Sequence, residues 1–223
     1  EMSRSVDLSR RRFLQAGAVA GGGLALGLYL APGARLRAGE DTAAPESARF
    51  APNAWLRIHS DGRIVVEIAR SEMGQGIMTG LAMLIAEELE VELDQLSARF
   101  APADSAYTNR LLNSQGTGGS TSIRDAWTKL REAGAVAREM LLAAAAETWQ
   151  VDTDECRAQS GWVLHPASGR SLGYGELADT AARQPVPDLV FLKEPEEFRP
   201  IVTSQPRLDT PAKVDGSAQF GMD

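Results

Sequence analysis

The 223-residue chain contains one cysteine, Cys156, and two histidines, His59 and His165. One thiol cannot close an internal disulfide, complete a zinc site or carry an iron–sulfur cluster. Its position ahead of a β-prone run reads as a small apolar side chain at the start of a strand. The histidines lie far apart beside turn-like sequence, a poor arrangement for metal ligands. Aromatic residues make up only 6% of the chain, so small aliphatic side chains must build the core by close packing. Positive charge is also scarce. The formal net charge is -7, and no basic stripe interleaves with aromatics, which argues against a nucleic-acid partner. No apolar run reaches the roughly 20 residues of a comfortable membrane span. The longest, Ala16 to Ala31, is interrupted by Gly17, Gly21, Gly22, Gly23 and Gly27.

What is present is ordinary globular composition, 43% hydrophobic, enough for one domain with a sizeable core. The first residues stand apart. Ser9-Arg10-Arg11-Arg12-Phe13-Leu14 precedes the weakly apolar run, the basic-then-apolar order of a secretory signal. The paired arginines followed by Phe-Leu resemble the twin-arginine consensus, with Gln15 where a basic residue is usual. Residues 1–34 are expected to be an export signal whose Arg10 and Arg11 are read by the twin-arginine translocase. A tidy Ala-x-Ala site is lacking, so a retained N-terminal anchor stays open. The resemblance implies a periplasmic protein that receives a cofactor before export.

Residues 35–52 are rich in Ala, Pro, Gly and charge and read as a flexible linker. Two β-prone runs, 54–58 and 64–68, flank Ser60-Asp61-Gly62-Arg63, a hairpin signal. In Ile77–Glu90, Ile77, Leu81, Leu84, Ile85 and Leu89 form a helical stripe. A strand is expected near Leu96–Ala101. A long helix is expected over Ser122–Trp149, with Ile123, Trp127, Leu130, Gly134, Ala137 and Leu141 on one face. The small residues on that face imply close approach of a neighbouring helix. A second hairpin, Glu155–Ala158 with Trp162–His165, precedes a turn and a helix over Tyr174–Ala182. From Gln184 onwards prolines punctuate an extended strap. The fold class is α+β: β-hairpins packed with one long and two shorter helices.

Two Gly-rich loops open helices, Glu72-Met73-Gly74-Gln75-Gly76 and Gly116-Thr-Gly-Gly-Ser-Thr121. A helix N-terminus offers unpaired N–H groups and partial positive charge, which suit an anion. Gly lets the backbone approach a ligand. Ser120, Thr121 and Ser122 add hydroxyl donors, and the Gln75 amide suits a heterocycle edge. Neither loop has the phosphate-loop or dinucleotide pattern, and one such loop alone is explained by a turn with an N-cap.

The stretch Ser71-Glu-Met-Gly-Gln-Gly76, then Ala86-Glu-Glu-Leu89, then the Gly-Thr-Gly-Gly-Ser-Thr run and a long Ala-rich helix resembles half of the molybdopterin-binding region of the xanthine dehydrogenase/aldehyde oxidase family. The resemblance covers roughly residues 53–182, and a cofactor-binding segment is drawn at 53–185. It implies that Gly74, Gln75, Gly76, Gly118, Gly119, Ser120 and Thr121 hold the cofactor, a molybdenum-bearing molybdopterin in its cytosine dinucleotide form. The order of parts, signal first, is similar to isoquinoline 1-oxidoreductase large subunits and related periplasmic aldehyde dehydrogenases. Residues 186–223 then read as a strap leading to a following domain.

The same resemblance implies an oxidoreductase that hydroxylates N-heterocycles or oxidises aldehydes with oxygen from water. Its partners would be a 2Fe–2S small subunit, the remainder of the molybdenum subunit and a cytochrome acceptor. The family's catalytic glutamate lies in a late Gly-x-Gly-Glu element. Gly173-Tyr174-Gly175-Glu176 matches by letters, but it opens a short helix after a hairpin, where the macrodipole alone explains an acid. No residue here is assigned as catalytic or as a metal ligand, and the chain by itself is expected to be inactive. The Ala- and Gly-rich face of the 122–149 helix is expected to be partly uncovered. A non-catalytic exported binding or scaffold module, and a generic nucleotide-binding protein, remain as alternatives.

Overall fold

The computed structural model describes residues 23–27 and 54–218. The linker assigned to 35–52, the arginine pair and most of the export signal lie outside them. The exception is β1, Gly23–Gly27, which pairs antiparallel with β2, Ala54–His59. Five residues of the apolar run therefore form an edge strand. This was not expected from the sequence, because Leu24 and Leu26 sit between glycines inside a uniformly apolar run with no polar residue to mark two faces.

β2 continues as a hairpin into β3, Ile64–Ile68, in antiparallel register. The turn closes as the sequence suggests. Gly62 sits at φ 89, His59 N donates to Arg63 O at 2.9 Å, and Asp61 Oδ1 accepts from Arg63 N at 3.0 Å. β3 pairs parallel with β4, Leu96–Phe100. Parallel neighbours need a crossover, and α1, Ile77–Leu89, supplies it.

α1 is the central element. Leu81, Leu84, Ile85 and Leu89 are all buried, each contributing about 1.5–3 kcal/mol relative to exposure. Along α1 runs α2, Ser122–Trp149. The two backbones approach so closely at Gly134 that an added Cβ would lie 2.8 Å from Ile85 O. The small residues of α2 are therefore required by its neighbour, as their spacing implied. A second sheet, β5 (Arg157–Gln159), β6 (Trp162–His165) and β7 (Arg170–Gly173), is antiparallel throughout and leads into α3, Tyr174–Ala181. The turn expected over 166–170 gives way at Arg170 to β7, a strand not expected from the sequence. Its first two residues are exposed, so burial imposes no alternation that a reader could detect. A short α4, Thr210–Asp215, ends the described chain.

The expected uncovered face of α2 does not exist. Leu130, Ala135, Ala137, Leu141, Ala144 and Ala145 are all fully buried, because α1, α3 and the second sheet close over them. Exposed apolar side chains lie elsewhere, at Met73, Phe100 and Leu111 around the loops and at Leu189, Phe191 and Val202 on the strap.

Candidate functional site

The two Gly-rich loops meet. Ser71 N donates to Thr117 Oγ1 at 2.8 Å, joining one loop to the other. Beneath this link Arg70 Nη2 and Asp125 Oδ2 pair at 2.7 Å, with side chains 1% and 3% exposed. Arg70 immediately precedes the first loop, and Asp125 lies in the first turn of α2, which follows the second. Asp125 also takes Lys129 Nζ at 2.7 Å and the backbone N–H of Arg110 at 3.0 Å. Arg70 Nη1 donates to Ala69 O and Tyr107 O. Burial lowers the pKa of both Arg70 and Lys129, and Asp125 opposes that shift. Periodicity could not reveal this network, since an acid in a first helical turn is ordinarily explained by the helix dipole.

In the first loop Gly74 and Gly76 adopt φ 97 and 82. A Cβ added at Gly74, Gly76 or Gly118 would meet nothing within 4 Å, so these backbone faces are open to a flat or anionic ligand. The N-terminus of α1 is already served, however. Glu72 Oε1 accepts from Gly74 N at 2.8 Å and Gly76 N at 3.0 Å, and Oε2 accepts from Met78 N at 3.0 Å. Burial pushes the Glu72 carboxyl pKa up, but the three N–H donors overcome this and hold it below its ordinary value. Gln75 also turns to its own loop. Its Nε2 donates to Ser71 O at 2.9 Å, and its Oε1 accepts from Met73 N at 2.6 Å. One amide hydrogen and one carbonyl lone pair remain for a ligand.

The second loop is different. Gly118, Gly119 and Ser120 are exposed, with Gly119 and Ser120 at φ 56 and 53. Thr121 is buried, and its hydroxyl donates to Gly118 O at 2.8 Å and accepts from Asn109 Nδ2 at 2.7 Å. Thr121 thus shapes the loop, and it makes no side-chain cap on α2. Among the described residues no carboxylate accepts from the first-turn N–H groups of α2 as Glu72 does on α1, which leaves this end the better seat for an anion.

The remaining candidates lie apart from this chemistry. Glu176 Oε2 accepts from Gly173 N at 2.8 Å at the start of α3. A Cβ on Gly175 would lie 2.6 Å from Gly62 N, so this glycine seats α3 against the β2–β3 turn. His165 is buried between Ser168 and Glu155. Cys156 is buried just before β5.

A family model described as "Molybdopterin cofactor-binding domain" matches residues 2–213. The chain is 35% identical to isoquinoline 1-oxidoreductase subunit beta of Brevundimonas diminuta, over 98% of this chain and 32% of that protein. It is 31% identical to membrane-bound aldehyde dehydrogenase (pyrroloquinoline-quinone) of Gluconacetobacter polyoxogenes, over 97% of this chain and 28% of that protein. It therefore spans about a third of the length of these curated relatives. Among solved structures, quinoline 2-oxidoreductase from Pseudomonas putida 86 superimposes on 60% of this chain and 17% of its own, with TM-score 0.46 and 18% identity.

Proposed function

Because the chain belongs to the molybdopterin cofactor-binding domain family of the xanthine dehydrogenase and aldehyde oxidase group, we propose that its joined loops hold a molybdenum-bearing molybdopterin. In this reading the cofactor is the cytosine dinucleotide form. Gly74, Gln75 and Gly76 bind one part of it, and Gly118, Gly119, Ser120 and Thr121 another. The observation that carries the reading is the Ser71–Thr117 link above the buried Arg70–Asp125 pair, which sets two open glycine faces side by side. When bound, the cofactor supplies a metal centre for hydroxylation with oxygen from water. The chain's own part is to bind and orient. Backbone N–H groups at the start of α2 suit the pyrophosphate, and the spare Gln75 donor and acceptor suit a heterocycle edge.

The catalytic base is assigned outside these residues, since Glu176 is spent on Gly173 N. The active site is then completed by sequence of the kind that fills the rest of the longer relatives. The substrate class is N-heterocycles or aldehydes. Electrons leave through a 2Fe–2S partner subunit to a cytochrome. Export by the twin-arginine translocase to the periplasm rests on Arg10-Arg11 and the apolar run after it. Changing both arginines to lysine is expected to keep the protein in the cytoplasm, and unchanged export would refute that part.

The deciding experiment measures molybdenum, pterin and pyrroloquinoline quinone in protein co-expressed with its neighbouring genes. Gly76→Val and Gly62→Val are compared, since both positions have positive φ and open space. Valine is strained at either, but only Gly76 faces the proposed ligand. Metal and pterin should fall several-fold in Gly76→Val alone. Equal content in both variants would overturn the assignment, and quinone without metal would replace it by the cofactor in the second relative's name.

A further inference from the structure

The Pro-rich strap is not loose. It runs antiparallel along α1 and is fixed at both ends of that helix. At the C-terminal end Glu87 and Glu88 are wholly buried. Glu87 accepts from Lys193 Nζ at 2.9 Å and from the backbone N–H groups of Arg199 and Ile201 at 2.9 and 3.2 Å. Glu88 accepts from Arg131 Nε at 2.8 Å and Lys193 N at 3.2 Å. Buried carboxylates need such partners, so these two acids hold the strap's main chain to the helix.

At the N-terminal end, Leu208 N donates to Thr79 Oγ1 at 3.0 Å. Beside it Arg207 reaches the first loop, with Nη1 donating to Gly74 O at 2.7 Å and Nη2 to Glu72 Oε1 at 3.0 Å. Asp209 orients the guanidinium through Nε at 3.0 Å and Nη2 at 2.8 Å, and is itself paired with Lys213 of α4.

We propose that Arg207 is a positioning residue for the cofactor loop, keeping Gly74–Gly76 in its ligand-facing shape only while the strap is docked on α1. This deepens the cofactor reading above and rests on it. The loop needs such a brace. Its two glycines stand in the left-handed region, from which glycine escapes at little cost, and Met73, Gly74 and Gln75 are exposed. Glu72 holds three of its amides, but a carboxylate that is 5% exposed requires a counter-charge. Arg207 supplies that charge and grips Gly74 O with the same planar fork. A lysine could reach only one of the two acceptors. Strap docking and loop shape thereby become one event.

The test uses the full chain co-expressed with its neighbours. Amide exchange at Gly74, Gly76 and Met78 is followed alongside pterin and molybdenum content. Arg207→Ala removes both hydrogen bonds to the loop and should speed exchange at these amides at least about tenfold and lower bound pterin several-fold. Arg207→Lys, which keeps the charge and the docked strap, should fall between. Gly175→Val serves as the control, because its side chain would press on Gly62 and Ser60 of the β2–β3 turn, away from the loop and from the acids that hold the strap. Unchanged exchange in Arg207→Ala, or an equal rise in Gly175→Val at matched thermal stability, overturns the proposal. Wild-type protein that lacks pterin and metal, while its loop amides still respond to Arg207→Ala, overturns the cofactor reading and leaves the brace standing.

Discussion

Arg70 and Asp125, 55 residues apart in sequence, form a buried ion pair that ties the entrance of one Gly-rich loop to the first turn of the helix after the other. Removing one partner of a buried pair leaves an uncompensated charge, at a cost of about 3–5 kcal/mol. Asp125→Ala should lower the unfolding free energy measured in urea by that amount. The apolar set Arg70→Met, Asp125→Leu and Lys129→Met should recover much of it, because Asp125 pairs with both cations and no charge is then stranded. An unfolding free energy that falls further in the triple variant than in Asp125→Ala would show that the pair is not the principal link.

The Glu72 carboxyl is held below its ordinary pKa of 4.5 by the backbone N–H groups of Gly76, Met78 and Gly74, against the upward push of burial. A group whose folded pKa is lowered contributes stability above its unfolded value and loses it as pH falls through the folded value. Protection of the Gly74, Gly76 and Met78 amides, corrected for intrinsic exchange, should therefore be full above about pH 4.5 and drop below it. Glu72→Gln should flatten the profile. A wild-type profile that is already flat across this range would contradict the assignment.

Gly134 has no room for a side chain, since a Cβ would sit 2.8 Å from Ile85 O and 3.0 Å from Glu88 Cβ. Overpacking of this kind costs about 1–3 kcal/mol. Gly134→Val should show it in full, whereas Gly134→Ala regains up to about 1 kcal/mol of helix propensity. Urea unfolding should rank wild type above alanine and alanine above valine. Equal midpoints would mean that the helices separate freely at this crossing.

Much of the fold was legible because its signals are local. The Asp61-Gly62 turn between β-prone runs fixed the first hairpin, and the three- and four-residue spacing from Ile123 to Leu141 fixed α2 over Ser122–Trp149. The small residues on α2, Gly134 among them, even implied the helix that packs there. Both Gly-rich loops could be seen opening helices, since Gly clusters ahead of an apolar periodic segment are a one-dimensional pattern. β7 escaped this reading because an exposed edge strand carries no alternation.

The sequence by itself therefore determined the α+β class, the main helices, the two loops and the family motifs within them. Only the tertiary structure decided that those loops are neighbours, that Glu72 already fills the start of α1, and that Glu87 and Glu88 are buried under the strap. The reason is range. Helices and turns follow from contacts between residues three or four apart, whereas Arg70–Asp125, Glu87–Lys193 and Arg207–Glu72 join residues 55, 106 and 135 positions apart. A charged letter in the chain does not show which opposite charge the fold will bury beside it.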